Sequence, residues 1–146
     1  MRLEVARREY RNEKVRIMVE KSPALRVLIV DDEPLTRWSM AETLTHVGHS
    51  VTEAGDAKET LQQLSTGPVP DVVLLDYRLP DSNDLKLLET VRRVAPKSPV
   101  IMMTAYATRA VEDGALRLGA YRVVPKPLEM EDLESLIQQA YAARSL

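Results

Sequence analysis

Short apolar runs in this 146-residue chain end repeatedly in side chains that handle charge. Val27-Leu28-Ile29-Val30 runs into Asp31-Asp32-Glu33, and Val72-Val73-Leu74-Leu75 into Asp76. Val100-Ile101-Met102-Met103 runs into Thr104, and residues 121–124 are followed by Pro125-Lys126-Pro127. A lone acid after an apolar run is usually a helix cap or a loop residue. Repetition of complementary groups at several such ends is a stronger signal. Clustered carboxylates repel one another, and the usual remedy is a hard divalent cation; an oxygen-only donor set suits Mg²⁺, which takes one or two carboxylates plus phosphate oxygens. A lysine nearby is a point charge for an anion. Acids, a cation, Lys126 and Thr104 together are the parts needed to position a phosphoryl group and neutralise its charge. One acid could itself be the nucleophile, because aspartyl phosphates are known covalent intermediates.

The elements that must carry these groups follow from the apolar pattern. The runs at 27–30, 72–75 and 100–103 read as buried strands, residues 50–54 as an edge strand and residues 121–124 as a fifth strand. Between them lie segments of helical spacing. Leu35, Trp38, Ala41, Leu44 and Val47 form a stripe that stops at Gly48, and Ala57, Leu61 and Leu64 a short helix ending at Gly67-Pro68. Leu85, Leu88, Val91 and Val94 form a helix closed by Pro96, Ala107, Ala110, Val111 and Leu118 one stopped by Gly119, and Leu133, Leu136, Ile137, Ala140 and Tyr141 a last one. Strict strand–helix alternation predicts an α/β fold with a doubly wound five-stranded parallel sheet. In such a sheet, ligands bind beyond the carboxyl ends of the strands, where the charged groups fall.

Composition narrows the chemistry. With no Cys there are no disulfides, thiolate nucleophiles or Cys-ligated metals, and His46 and His49 are too few for a histidine-rich metal site. The net charge of −2 gives no global attraction to nucleic acid or anionic lipid. No apolar run approaches the roughly 20 residues of a membrane span, and the charged start is no secretory core, so a cytoplasmic protein is expected. The charge is uneven: residues 1–24 carry seven Lys/Arg and four Asp/Glu, the remainder 13 and 18. We therefore expect a basic N-terminal extension over 1–24, helical or disordered, and one domain over 25–146.

Asp31-Asp32-Glu33, Leu74-Leu75-Asp76-Tyr77-Arg78-Leu79-Pro80, Met103-Thr104-Ala105 and Lys126-Pro127 resemble, in order and spacing, the receiver domains of bacterial two-component response regulators. Met103-Thr104-Ala105-Tyr106-Ala107, Leu118-Gly119-Ala120-Tyr121 and Pro125-Lys126-Pro127-Leu128 are most similar to receivers of the nitrogen-regulator (sigma-54 activator) class. The resemblance implies the flavodoxin-like strand order 2-1-3-4-5. It implies Asp76 as phosphoacceptor from a sensor histidine kinase or phosphotransfer protein, by self-catalysed transfer followed by slow autodephosphorylation. Mg²⁺ would be held by Asp31, Asp32, Asp76 and the backbone carbonyl of Arg78. Lys126, ahead of a cis peptide bond to Pro127, would pair with a phosphate oxygen, and Thr104 would move to hydrogen-bond it. A small Ala105 would admit the donor, while Arg78 and Tyr106 would overhang the site. The readout surface would be the fourth helix, fifth strand and fifth helix, meeting a downstream protein or a second copy in a homodimer. No output domain is expected within these 146 residues, and no direct contact with nucleic acid or membrane.

Two positions depart from that family. Val123 stands where receivers usually carry a switch aromatic; Tyr121, two residues earlier, is expected on the same strand face as a substitute. Asp84 stands where Gly is usual, and a modest cost from a positive φ is expected. Both favour an alternative, a degenerate receiver acting as a constitutive protein-interaction module. A Mg²⁺-dependent phosphohydrolase is a further alternative, but it would normally have an acid two residues past the nucleophile, where Arg78 stands. Structural roles account for other residues: Trp38 reads as core or half-buried, Met102-Met103 as sheet core, Glu33 as an outward helix-start acid, and His46 and His49 as surface residues.

Overall fold

The computed structural model describes residues 22–144 together with Ala6, Arg7, Glu9 and Arg11. The expected N-terminal extension thus lies largely outside the described residues. Within 22–144, five strands alternate with five helices: β1 Arg26–Val30, α1 Pro34–Val47, β2 Ser50–Ala54, α2 Ala57–Thr66, β3 Val72–Asp76, α3 Lys86–Val94, β4 Val100–Thr104, α4 Arg109–Arg117, β5 Arg122–Pro125 and α5 Met130–Ala142. The strands form one parallel sheet in the order β2-β1-β3-β4-β5, as expected.

Apolar residues on both faces of the strands explain why helices cover both sides. Val27, Ile29, Leu74, Ile101 and Met103 face one layer, packing with Met40 and Leu44 of α1 and Leu133 and Ile137 of α5. Their neighbours Leu28, Val30, Val73, Leu75, Val100 and Met102 face the other layer, against Leu87, Leu88 and Val91 of α3 and Ala115 of α4. Each such large side chain contributes about 1.5–3 kcal/mol by leaving water. Register then fixes the site: Val30 pairs with Leu75, Asp76 with Met103 and Thr104 with Pro125, so the ends of β1, β3, β4 and β5 finish at one rim.

Helix ends follow local chemistry. Glu33 caps α1, its carboxylate accepting the Leu35 and Thr36 backbone N–H groups, and Gly48 at φ 111° closes the helix in a conformation open to glycine. No helix among the described residues is long and apolar enough to cross a membrane.

Several expectations are corrected. Trp38 is 58% exposed and Leu35 68% exposed, so neither belongs to the core. At 3.6 residues per turn, a step of three falls about 60° short of a full turn, so five residues at that spacing wrap around the helix instead of lining one face. The buried face of α1 is Met40, Ala41 and Leu44. His49 is buried, not on the surface: its Nδ1 accepts the Leu25 N–H at 2.9 Å and its Nε2 lies 2.5 Å from Glu134 Oε2. The turn at Gly48 swings His49 beneath the start of β1, toward a partner 85 residues away in the chain. His46 is exposed, as expected. Asp84 has no positive φ, since among the described residues only glycines do; its carboxylate accepts the Lys86 N–H at the start of α3.

Candidate functional site

The rim gathers the groups singled out from sequence. Asp31 follows β1 and is fully buried, Asp32 beside it is exposed, and Asp76 ends β3 almost wholly buried. One carboxylate oxygen from each lies within 4.8 Å of the others. Lys126 reaches in from the far side of β4, its Nζ 2.8 Å from Asp31 Oδ2 and 3.0 Å from Asp76 Oδ2. The remaining oxygens of the two buried acids are held by backbone: Asp31 Oδ1 accepts the Glu33 N–H at 2.9 Å and Asp76 Oδ1 the Arg78 N–H at 3.2 Å. The Lys126–Pro127 peptide bond is cis, as expected.

Burial is the main cause pushing the Asp76 carboxyl above the usual carboxylate range; Asp31 adds to it, against the opposing hydrogen bond and charge of Lys126. Burial also works against the Lys126 ammonium, but its hydrogen bonds to Asp31 and Asp76 outweigh this and hold it above the ordinary lysine value. Two buried acids share one lysine and an exposed third stands beside them, so the pocket holds more negative than positive charge. An oxygen-only set of three carboxylates with two acids already oriented by backbone fits a hard divalent cation.

Thr104 is buried at the end of β4, and its Oγ1 accepts the Tyr106 N–H at 2.9 Å, leaving the hydroxyl hydrogen to be donated elsewhere. Ala105 is exposed and small beside it. The Arg78 guanidinium stacks on the half-exposed Tyr106 ring at 3.9 Å from its centroid. Glu33 points outward as the α1 cap, and burial only partly opposes the hydrogen bonds from Thr36 that hold its carboxyl below the usual range.

Val123 packs in the layer of α3 and α4, but Tyr121 packs in the opposite layer with Val124. Tyr121 is therefore not on the face of Val123. β5 begins at Arg122, so the two-residue alternation does not extend back to Tyr121, which sits in the bend before the strand.

Sequence reasoning missed the groups that hold the acid loops. Arg37 Nη1 donates to the Asp31 backbone carbonyl at 2.6 Å while its Nε pairs with Glu53 of β2 at 3.2 Å. Asp81 Oδ1 and Oδ2 accept the Ala57 and Lys58 N–H groups at 2.8 and 3.1 Å. Arg37, one turn after the acidic run, was at least adjacent in sequence; nothing in the sequence tied Asp81 to a helix 23 residues away.

The response regulator receiver domain model matches residues 27–138. The regulatory protein AtoC of Escherichia coli (strain K12) is 36% identical over 121 residues, which is 83% of this chain and 26% of that protein. The chain thus spans about a quarter of the length of the curated relatives it matches. A CheY-like receiver domain protein from Methanospirillum hungatei JF-1 superposes with a TM-score of 0.77 at 30% identity, covering 82% of this chain and 95% of the other. The BeF3-activated receiver domain of nitrogen regulatory protein C (NtrC) superposes at 0.70 with 31% identity, covering 82% and 95%.

Proposed function

As the chain belongs to the response regulator receiver family, we propose that it is a Mg²⁺-dependent phosphoacceptor of a two-component (His-Asp) system, phosphorylated on Asp76 and switching its protein contacts in response. The observation that carries this reading is the buried Asp76 carboxylate, oriented by Lys126 and set within reach of Asp31 and Asp32.

Asp31 and Asp32, with Asp76 and the Arg78 backbone carbonyl, would hold the cation. Bound Mg²⁺ would neutralise charge on the carboxylates and on the transferring phosphoryl group. An oxygen of Asp76 attacks phosphorus of a phosphohistidine; the new P–O bond forms as the P–N bond breaks, and the electron pair leaves with the imidazole nitrogen. Lys126 then shifts from the bare carboxylates to a phosphate oxygen, and Thr104 turns its hydroxyl hydrogen to another. Attack by water on phosphorus returns Asp76 and inorganic phosphate.

The donor is a sensor histidine kinase or phosphotransfer protein. The exposed Leu35 and Trp38, three residues apart on the helix that starts at the acid rim, give it an apolar face to dock against. Release of Thr104 from the Tyr106 N–H is the local event passed toward α4, β5 and α5, the surface assigned to a downstream protein or a second copy. With Val123 small and Tyr121 in the other layer, neither of these two positions supplies an aromatic to couple to that movement. A cytoplasmic receiver over residues 25–146 with a basic segment over 1–24 completes the reading. Val123 favours the second reading, a constitutive interaction module.

Intact-mass measurement after incubation with Mg²⁺ and a small acyl phosphate separates the two. The expected result is one phosphoryl adduct on the wild type and none on Asp76→Asn; an unmodified wild type would favour the constitutive module.

A further inference from the structure

The two loops that carry the acids are both tied to one corner of the fold, residues 53–58, which run from the end of β2 into the start of α2. On the β1 side, the Asp31 N–H donates to the Ala54 carbonyl at 3.1 Å, and Arg37 bridges the Asp31 carbonyl and Glu53. On the β3 side, the loop beyond Asp76 closes on itself: Leu79 N–H donates to Ser82 O at 2.8 Å and Ser82 N–H to Leu79 O at 3.2 Å. Asp81 sits at the tip of that turn, and its two carboxylate oxygens take the first two N–H groups of α2. The ordinary cap of this helix, Asp56, takes only the Glu59 N–H at 2.7 Å. The N–H groups at the start of a helix have no intrahelical partner. Here two of them are satisfied by the loop that leaves the phosphoacceptor.

We infer that Asp81 is a positioning residue for the acid pocket: by clamping the turn at residues 79–82 onto the start of α2, it fixes where Arg78 presents its backbone carbonyl relative to Asp76, Asp31 and Asp32. Two charge-assisted hydrogen bonds accepted by an otherwise exposed side chain bridge 23 and 24 residues of sequence, which a surface acid with only a solubilising role does not do. The β2–α2 corner becomes a common abutment, so the separation of the two acid loops is set outside the pocket. The Mg²⁺ part of this inference rests on the proposed function; the clamp itself does not.

Two variants of one helix end test it. Asp81→Ala removes the clamp, and Asp56→Ala removes the local cap of the same helix without touching the acceptor loop. Amide hydrogen exchange in metal-free protein is expected to speed up roughly tenfold at Leu79 and Ser82 in Asp81→Ala and to stay near wild type there in Asp56→Ala. Calorimetric titration with Mg²⁺ alone is expected to show about tenfold weaker binding for Asp81→Ala, partial recovery for Asp81→Asn, and little change for Asp56→Ala. Wild-type exchange at Leu79 and Ser82 in Asp81→Ala overturns the inference, as does equal loss of Mg²⁺ binding in both alanine variants. If wild type itself takes up no Mg²⁺, the receiver reading fails, and the exchange rates still decide whether Asp81 holds the loop.

Discussion

Lys126 Nζ lies 3.0 Å from Asp76 Oδ2, and this ammonium is also the partner of the fully buried Asp31. One cation therefore serves two buried carboxylates that sit close enough to share a metal. The arrangement is electrostatically incomplete, and its consequences can be measured.

Replacing Lys126 by Met leaves two buried acids without their cation, a change that costs about 3 kcal/mol in comparable buried pairs. Denaturant unfolding without metal should report that loss, and Mg²⁺ should bind the variant more tightly than wild type, because the ion no longer competes with a fixed ammonium. The folded-state Lys126 value lies above the ordinary one. Its stabilisation is therefore fully present below the ordinary lysine range and lost only as pH rises through the higher folded-state value. Equal stability of variant and wild type at neutral pH would contradict the pairing.

Asp76 has the opposite sign. Its folded-state value is raised, chiefly by burial, so the folded protein holds that proton more tightly than the unfolded chain. The resulting penalty is absent below the usual carboxylate range and fully developed once pH exceeds the raised value. Asp76→Asn removes it. Without metal, its thermal midpoint at neutral pH should exceed that of wild type by about 2–5 °C, a gap that closes in acid. A less stable variant at neutral pH would show that ionised Asp76 is favoured where it stands.

Trp38 separates docking from chemistry. It is exposed and makes no part of the acid cluster, so Trp38→Ala should leave phosphorylation by a small acyl phosphate unchanged. Transfer from a cognate histidine kinase should slow about tenfold, the effect of losing a large aromatic anchor from an interface. Transfer from the kinase at the wild-type rate would remove Trp38 from the docking surface.

The Arg78 guanidinium stacks on the Tyr106 ring, and the two residues stand two positions past Asp76 and Thr104. An exposed cation–π contact is worth about 0.5–1 kcal/mol. Arg78→Ala should therefore shorten the lifetime of phosphorylated Asp76 about two- to fivefold, as followed by loss of the adduct mass with time. An unchanged lifetime would mean that water reaches phosphorus by another path.

How much of this was legible in sequence depends on the range of the interaction. The strand runs at 27–30, 72–75 and 100–103 were readable because both faces of a parallel sheet are buried, which makes the residues continuously apolar. Asp31, Asp76, Thr104 and Lys126 were readable because each terminates or follows such a run. Trp38 was misread because three-residue spacing imitates a helical face over a turn or two and then drifts off it. His49 and Glu134, or Asp81 and Ala57, were not readable at all. Their pairing is set by tertiary geometry across 85 and 24 residues, and neither side carries a local pattern that announces the other.

Borohydride trapping identifies the nucleophile by reading which aspartate carries the phosphoryl group. After incubation with Mg²⁺ and a small acyl phosphate, reduction converts an aspartyl phosphate to homoserine, and peptide mass mapping locates the change. With Asp76 as the nucleophile, homoserine is expected at position 76 and at neither Asp31 nor Asp32. Reduction at one of those residues, or at none, would contradict it.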